Sequence, residues 1–304
     1  MSNIQLDNST ISRHLGKSSE YKSTYDPNLL VRELRSNNRQ HLNIEEGNLP
    51  FLGFDVWNGY EISALQHNGL PVTFVAKVVY SSDSKYIVES KSMKLYWNSF
   101  NMEKLGSYKG TVKSNIQLTA AKDLSNLLET DVRVELFDCD NYEYNNDTII
   151  NNRDEYITIE KQLYNNAVEF DSYKEDENLL REDKISLKDI LRVHSSLLKS
   201  NCRVTSQPDW GDVFIHIKGE HLPTKLSILN YIISFRDECH FHEEICETIY
   251  KRLWDRFEPE ELSVVCLYVR RGGWDINPQR CSHEHLFEMN MFDPEIPWCK
   301  TGRQ

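Results

Sequence analysis

This chain repeats itself, and that restricts its fold more than any other property. Setting Ser99-Phe100 against Ser234-Phe235, an offset of 135 residues, aligns ESKSMKLYWNSFN (Glu89 to Asn101) with TKLSILNYIISFR (Thr224 to Arg236). Ser92/Ser227 and Tyr96/Tyr231 then coincide as well. The grammar around the aligned segments also agrees. PVTFVAKVVY and DVFIHIKG precede them with the two-residue alternation of half-buried strands. A helix-like stretch and an apolar strand follow in each half: TAAKDLSNLLET then VRVELF, and EICETIYKRLWDRF then LSVVCLYV. A duplicated chain is built from two copies of one supersecondary unit. The pattern predicts an α+β fold, antiparallel sheets with helices layered on one face. Residues 1–138 form the first module and 186–304 the second, joined across 139–185 by an acidic linker with some local structure around YITIE.

The copies differ in their polar residues. Glu89 and Lys91 of the first become Thr224 and Leu226 in the second, whereas Cys202 and Asp209 have no counterpart in the first. That division predicts a site assembled from both halves. Cys202 and Asp209 lie in NCRVTSQPDWGDVF. A thiol attacks as thiolate, and a carboxyl group held beside it serves as proton donor to whatever the sulfur attacks. Gln207-Pro208 reads as the turn that folds Asp209 back toward Cys202; the competing reading is a buried structural cysteine beside a polar turn.

Three further clusters bear on function. Ser90 is expected to cap a helix whose first turn projects Lys91 and Lys94, an arrangement suited to anions. His242 and Glu243 open an amphipathic helix and offer an imidazole and a carboxylate to a heterocycle. Cys239, His240, His242 and Cys246 compete as a zinc set, His242 and Cys246 being four apart on one helical face. In RRGGWDINP (Arg270 to Pro278), two arginines can grip phosphate and two glycines permit close backbone approach. CSHEH (Cys281 to His285) reads as a solvated tail.

Composition removes whole classes. The net charge of -12 argues against a surface that tracks nucleic-acid phosphates, leaving a small molecule as the expected substrate. No apolar run is long enough to cross a bilayer, and the polar opening MSNIQLDNSTISRHLGKSSE does not read as a signal peptide. Seven cysteines, an odd number without a CxxC pair, predict reduced thiols and a cytoplasmic setting. With no GxGxxG, a nicotinamide cofactor would need some other support than a Rossmann turn.

Taken together, NCRVTSQPDWG, ESKSMKLYWNSFN, SFRDECHFHEE and VRRGGWDINP resemble the NADPH-dependent 7-cyano-7-deazaguanine reductases of queuosine biosynthesis, a tRNA-modification pathway. HLGKSSEYKSTYDPNLL and NLPFLGFDVWNGYEIS resemble the long, two-module form of that family. The resemblance implies tandem tunnelling-fold (T-fold) modules paired into a homodimer, and reduction of a nitrile to a primary amine by two NADPH without a metal. It implies Cys202 as the residue forming a covalent thioimide and Asp209 as proton donor. Glu89, His242 and Glu243 would hold the deazaguanine, with Val88 and Ser90 lining its pocket. Ser90, Lys91, Arg271 and Gly272 would contact NADPH. The alternative is a zinc-dependent pterin or purine hydrolase of the GTP cyclohydrolase type on the same fold.

Overall fold

The alternation read in PVTFVAKVVY works as the pleat requires: Val78 and Tyr80 pack under helices while Val79 points to the opposite face. A computed structural model of the chain describes residues 22–139, 149–163, 168–183, 189–203 and 206–296. The first half contributes strands β1 (Leu52–Gln66) and β2 (Pro71–Ser81), helices α1 (Ser90–Asn98) and α2 (Lys109–Leu128), and strand β3 (Val132–Asp138). The second contributes β4 (Asp189–Cys202), β5 (Pro208–Gly219), α3 (Lys225–Ile233), α4 (His242–Phe257), β6 (Glu261–Tyr268) and β7 (Trp274–Cys281).

All seven join one sheet in the order β4-β5-β6-β7-β1-β2-β3, with the short strand Cys239–His240 beyond β4. The halves meet where β7 pairs antiparallel with β1 over eight residues, from Trp274 opposite Gly59 to Cys281 opposite Leu52. The Trp274 ring lies directly over Gly59, where a Cβ would come within 2.5 Å of it. Helices cover one face over two apolar cores, one per half, and a third cluster on the other face includes Val56, Val79, Phe214 and Val265. No helix among the described residues is long and apolar enough to cross a membrane.

The four matched positions of the repeat make matching contacts. Ser92 Oγ donates to the Glu89 carbonyl at 2.7 Å and Ser227 Oγ to that of Thr224 at 2.8 Å. Ser99 and Ser234 likewise donate to the carbonyls of Tyr96 and Tyr231, at 2.6 and 2.7 Å. Both tyrosine hydroxyls reach a carboxylate at 2.8 Å, Asp123 for Tyr96 and Glu175 for Tyr231. Phe100 and Phe235 are buried.

The 139–185 stretch departs from a plain connector. Ile149, Ile150, Ile159 and Leu180 are buried in the cores. Its end repeats the start of the described chain: Asp26 caps the turn Pro27–Leu29 through the Asn28 amide, Asp176 caps Glu177–Leu179 through that of Asn178, each at 3.0 Å. Glu89 N–H then donates to the Val31 carbonyl and Thr224 N–H to that of Arg181. CSHEH also differs from a solvated tail at its first residue, for Cys281 ends β7 and is fully buried, whereas His283, Glu284 and His285 are exposed.

Candidate active site

β4 and β5 form a hairpin whose rungs set the geometry of the thiol and the acid. Cys202 N–H donates to the Gln207 carbonyl at 2.8 Å, and Ser200 stands opposite Asp209. Side chains directly opposite share a face and successive ones alternate, so Cys202, Gln207 and Asp209 project together, Cys202 and Asp209 as diagonal neighbours. The reversal lies before Gln207, where Ser206 adopts φ 54° and donates to the Cys202 carbonyl at 2.9 Å. Gln207-Pro208 is therefore not the turn, and Pro208 begins β5.

Helix α1 starts differently from the expected serine cap. Glu89 is the N-cap, its carboxylate accepting from the amides of Lys91 at 2.9 Å and Ser92 at 2.7 Å, and Ser90 is the first helical residue. A carboxylate satisfies two orphan amides at once and is favoured by the helix dipole, which a single hydroxyl cannot match. Two of the amides expected to receive an anion are thereby taken.

The remaining walls come from α4 and the β6–β7 turn. His242 stacks on Tyr268, ring centroids 3.8 Å apart, with Nε2 3.4 Å from Asp209 Oδ2. Arg271 hydrogen-bonds Asp209 Oδ1 through Nη1 and Gln207 Oε1 through Nη2. Burial alone would raise the Asp209 pKa, but His242 and Arg271 outweigh it and hold the carboxyl below its ordinary value. Arg271 and Trp274 close a two-residue turn in which Gly272 and Gly273 take φ of 57° and 75°, the left-handed pair of a type I′ hairpin. Lys94 passes under this turn; a Cβ on Gly272 would meet its Cδ at 3.2 Å. Burial, and then the charge of Arg271, lower the Lys94 pKa.

Glu243 is the other buried acid. It is 3% exposed and its Oε1 has no hydrogen-bond partner. Burial, reinforced by the charge of Asp55, pushes its pKa up to about 8, while Arg35 and Arg280 pull the other way. One turn along α4, Glu247 joins a buried network: Arg39 Nη2 and Arg280 Nη2 lie 2.7 and 2.8 Å from its Oε1, and Arg35 and Arg280 hold Asp55 at 2.5 and 2.8 Å. Arg35, Arg39 and Asp55 belong to the first half, Glu247 and Arg280 to the second.

One cavity collects these groups. Val88, Glu89, Ser90, Lys91, Cys202, Asp209, His242, Glu243 and Arg271 line it, so of the site residues expected from the family resemblance only Gly272 does not. Both halves contribute. Sequence reasoning missed Trp57, Phe241, Val269, Trp274 and Ile276, which supply an apolar lining, and gave His240 only to a metal set. His240 is paired with Cys202 across parallel strands. Burial would lower its pKa, but the carboxylates of Glu244 and Glu238, 2.8 and 3.0 Å away, raise it. The zinc set does not converge: Cys246 points into the core, its thiol 3.5 Å from the Val264 carbonyl, while His242 faces the cavity.

Comparison with known proteins agrees in kind. A family model described as "Nitrile reductase, 7-cyano-7-deazaguanine-reductase N-term" matches residues 21–136, and one described as "QueF-like protein" matches 208–286. A protein of Colwellia psychrerythraea named NADPH-dependent 7-cyano-7-deazaguanine reductase is 40% identical over 307 residues, covering 100% of both chains. A Rickettsia canadensis protein of the same name is 39% identical over 270 residues, 88% of this chain and 91% of its own. A solved apo structure of an archaeosine synthase, titled QueF-Like, covers 31% of this chain and 93% of its own at 13% identity and a TM-score of 0.28, too slight a likeness to bear on the fold.

Proposed function

The chain belongs to the family of NADPH-dependent 7-cyano-7-deazaguanine reductases, and from that premise we propose that it reduces the nitrile of 7-cyano-7-deazaguanine to the aminomethyl group with Cys202 as nucleophile. The observation that carries the reading is the shared face of the β4–β5 hairpin, where Cys202 and Asp209 project into one cavity with Glu243.

The ionised state of Asp209 fixes the direction of the first proton transfer. The carboxylate takes the proton of the Cys202 thiol, the thiolate adds to the nitrile carbon, and the same proton passes to the nitrile nitrogen, leaving a neutral thioimide. Atoms balance without any other donor. Bound NADPH supplies hydride to that carbon, twice in going from nitrile to amine. Lys91, Lys94 and Arg271 would hold its anionic part; the charge of Lys94 beneath a glycine turn without side chains supports that placement. Ser90 and Gly272 would adjoin it. Val88, Glu89, His242 and Glu243 would hold the deazaguanine, the unpartnered Oε1 of Glu243 being a natural acceptor for its N–H groups. We also infer a reducing, cytoplasmic setting, supported by free thiols at all six described cysteines, and a homodimer without nucleic-acid binding.

The test is stoichiometry: two NADPH should be oxidised for each nitrile consumed, with the amine as product. One NADPH per nitrile, or oxidation without amine, removes the reading.

Glu243 makes the binding of substrate depend on pH. An acid whose pKa is raised to about 8 is protonated at neutral pH, and a ligand that needs its carboxylate as acceptor must displace that proton. Affinity should weaken as pH falls below about 8, approaching tenfold per pH unit. Titration calorimetry in buffers of different ionisation heat would show proton release. A dissociation constant flat between about pH 6 and 8.5 excludes this role.

A further inference from the structure

Arg271 carries two assignments that compete for one guanidinium. Both of its terminal nitrogens are engaged in the ligand-free site, Nη1 on Asp209 and Nη2 on Gln207. An end-on grip on a phosphate uses the same two nitrogens and so competes with these contacts. We propose that Arg271 is a shared positioning residue, parked on Asp209 and Gln207 until the cofactor's phosphate draws it away, so that Asp209 acts as a carboxylate during thiolate addition and as an acid during reduction. The proposal rests on the nucleophile and cofactor assignments above.

The placement suits such a movement. Arg271 stands at the edge of the type I′ turn, and its side chain is 29% exposed, so the guanidinium can swing without a change in the sheet. Gln207 has a double duty: its carbonyl accepts from the Cys202 amide and its side chain receives Arg271. The groups facing Asp209 are Arg271, His242 from α4, Lys94 from α1, Cys202 from β4 and Tyr268 from β6. Departure of Arg271 removes the direct guanidinium contact and leaves His242 at 3.4 Å.

The chemistry requires both forms of the acid in sequence. Thiolate addition needs a base for the Cys202 proton, whereas reduction of the adduct needs a proton placed on the same nitrogen. An exchange of Arg271 from carboxylate to phosphate raises the basicity of Asp209 once the reductant has arrived, easing its uptake of a proton from solvent for delivery to that nitrogen. Cofactor occupancy and the protonation of the acid then become one event.

NADP+ is the probe, because it brings the phosphates without a hydride. Adduct formation at saturating 7-cyano-7-deazaguanine would be followed by the thioimide absorbance from about pH 3 to 9, with and without saturating NADP+. In the native protein the midpoint of the pH profile should rise by about one pH unit or more when NADP+ binds. In Arg271→Met the profile should lie at the higher position from the outset, and NADP+ should not move it. Gln207→Leu, which weakens the parking site, should bind NADP+ on the order of threefold to tenfold more tightly. Melting curves would establish that both variants fold. A midpoint unmoved by bound NADP+ in the native protein overturns the proposal while leaving Cys202 as nucleophile. Absence of adduct in every sample overturns both.

Discussion

Cys202→Ala should lower nitrile turnover by about four orders of magnitude or more, while ligand affinity changes only a few-fold. A nitrile carbon is a poor acceptor of hydride, and the sulfur converts it into an imidate-like centre; without the covalent step the remaining groups bind and orient but have nothing to reduce. The substitution is also mild for the fold. The main-chain N–H of residue 202 keeps its bond to the Gln207 carbonyl, and the side chain is only half-buried at a hairpin end. NADPH oxidation measures the rate, intact mass after incubation with the nitrile measures the adduct, and calorimetry measures affinity. Retention of even about one per cent of turnover, or a covalent adduct in the variant, would remove the sulfur from the mechanism. Cys202→Ser should behave almost as the alanine variant does, because a hydroxyl gives up its proton far less readily than a thiol.

The largest expected effect on stability comes from Glu247→Gln. Arg35, Arg39 and Arg280 approach this one carboxylate, and all three, like Glu247, are almost completely removed from solvent. A glutamine side chain there would keep the shape and some hydrogen bonds but leave Arg39 without its carboxylate and Arg35 and Arg280 with Asp55 alone. Breaking a buried ion network by removing one partner costs about 3–5 kcal/mol. Chemical denaturation would read it directly; a loss under about 1 kcal/mol would mean that water or a neighbouring carboxylate takes over the compensation. The pH dependence has a definite sign. Burial works against ionisation, but the three arginines outweigh it and lower the Glu247 pKa from 4.5 to about 2. Its contribution is complete above pH 4.5 and is lost as pH falls toward 2. The native protein should therefore lose stability over that range more steeply than Glu247→Gln.

What the sequence revealed and what it concealed divide along physical lines. The duplication was readable because Ser92, Tyr96, Ser99 and Phe100 do local work on one helix, and the same work recurs at Ser227, Tyr231, Ser234 and Phe235. The upstream echo, Asp26-x-Asn28-Leu29-Leu30 against Asp176-x-Asn178-Leu179-Leu180, falls at an offset of 150 rather than 135, so an ungapped comparison passes over it. Charge composition hid it further: a run of acids looks like a solvated connector, although Leu180 is buried. Within the site, residues in compact motifs could be named because their chemistry is legible in short stretches. Arg271 on Asp209, and Arg39 on Glu247, join positions 62 and 208 residues apart, and no periodicity announces such pairs. Glu89 stands out in its motif as a ligand group, and its capping role stays hidden because a carboxylate before a helix serves equally well for either.

The eight-residue ladder between β7 and β1 decides how the enzyme can move. Halves welded by backbone hydrogen bonds cannot rock apart as lobes about a flexible strap, and so ligand entry cannot depend on such a clamshell motion. Movement that admits a ligand falls instead to parts outside that ladder, such as the turn at Gly272 under which Lys94 passes. A bridge introduced to immobilise that turn should slow catalysis far more than any reinforcement of the sheet.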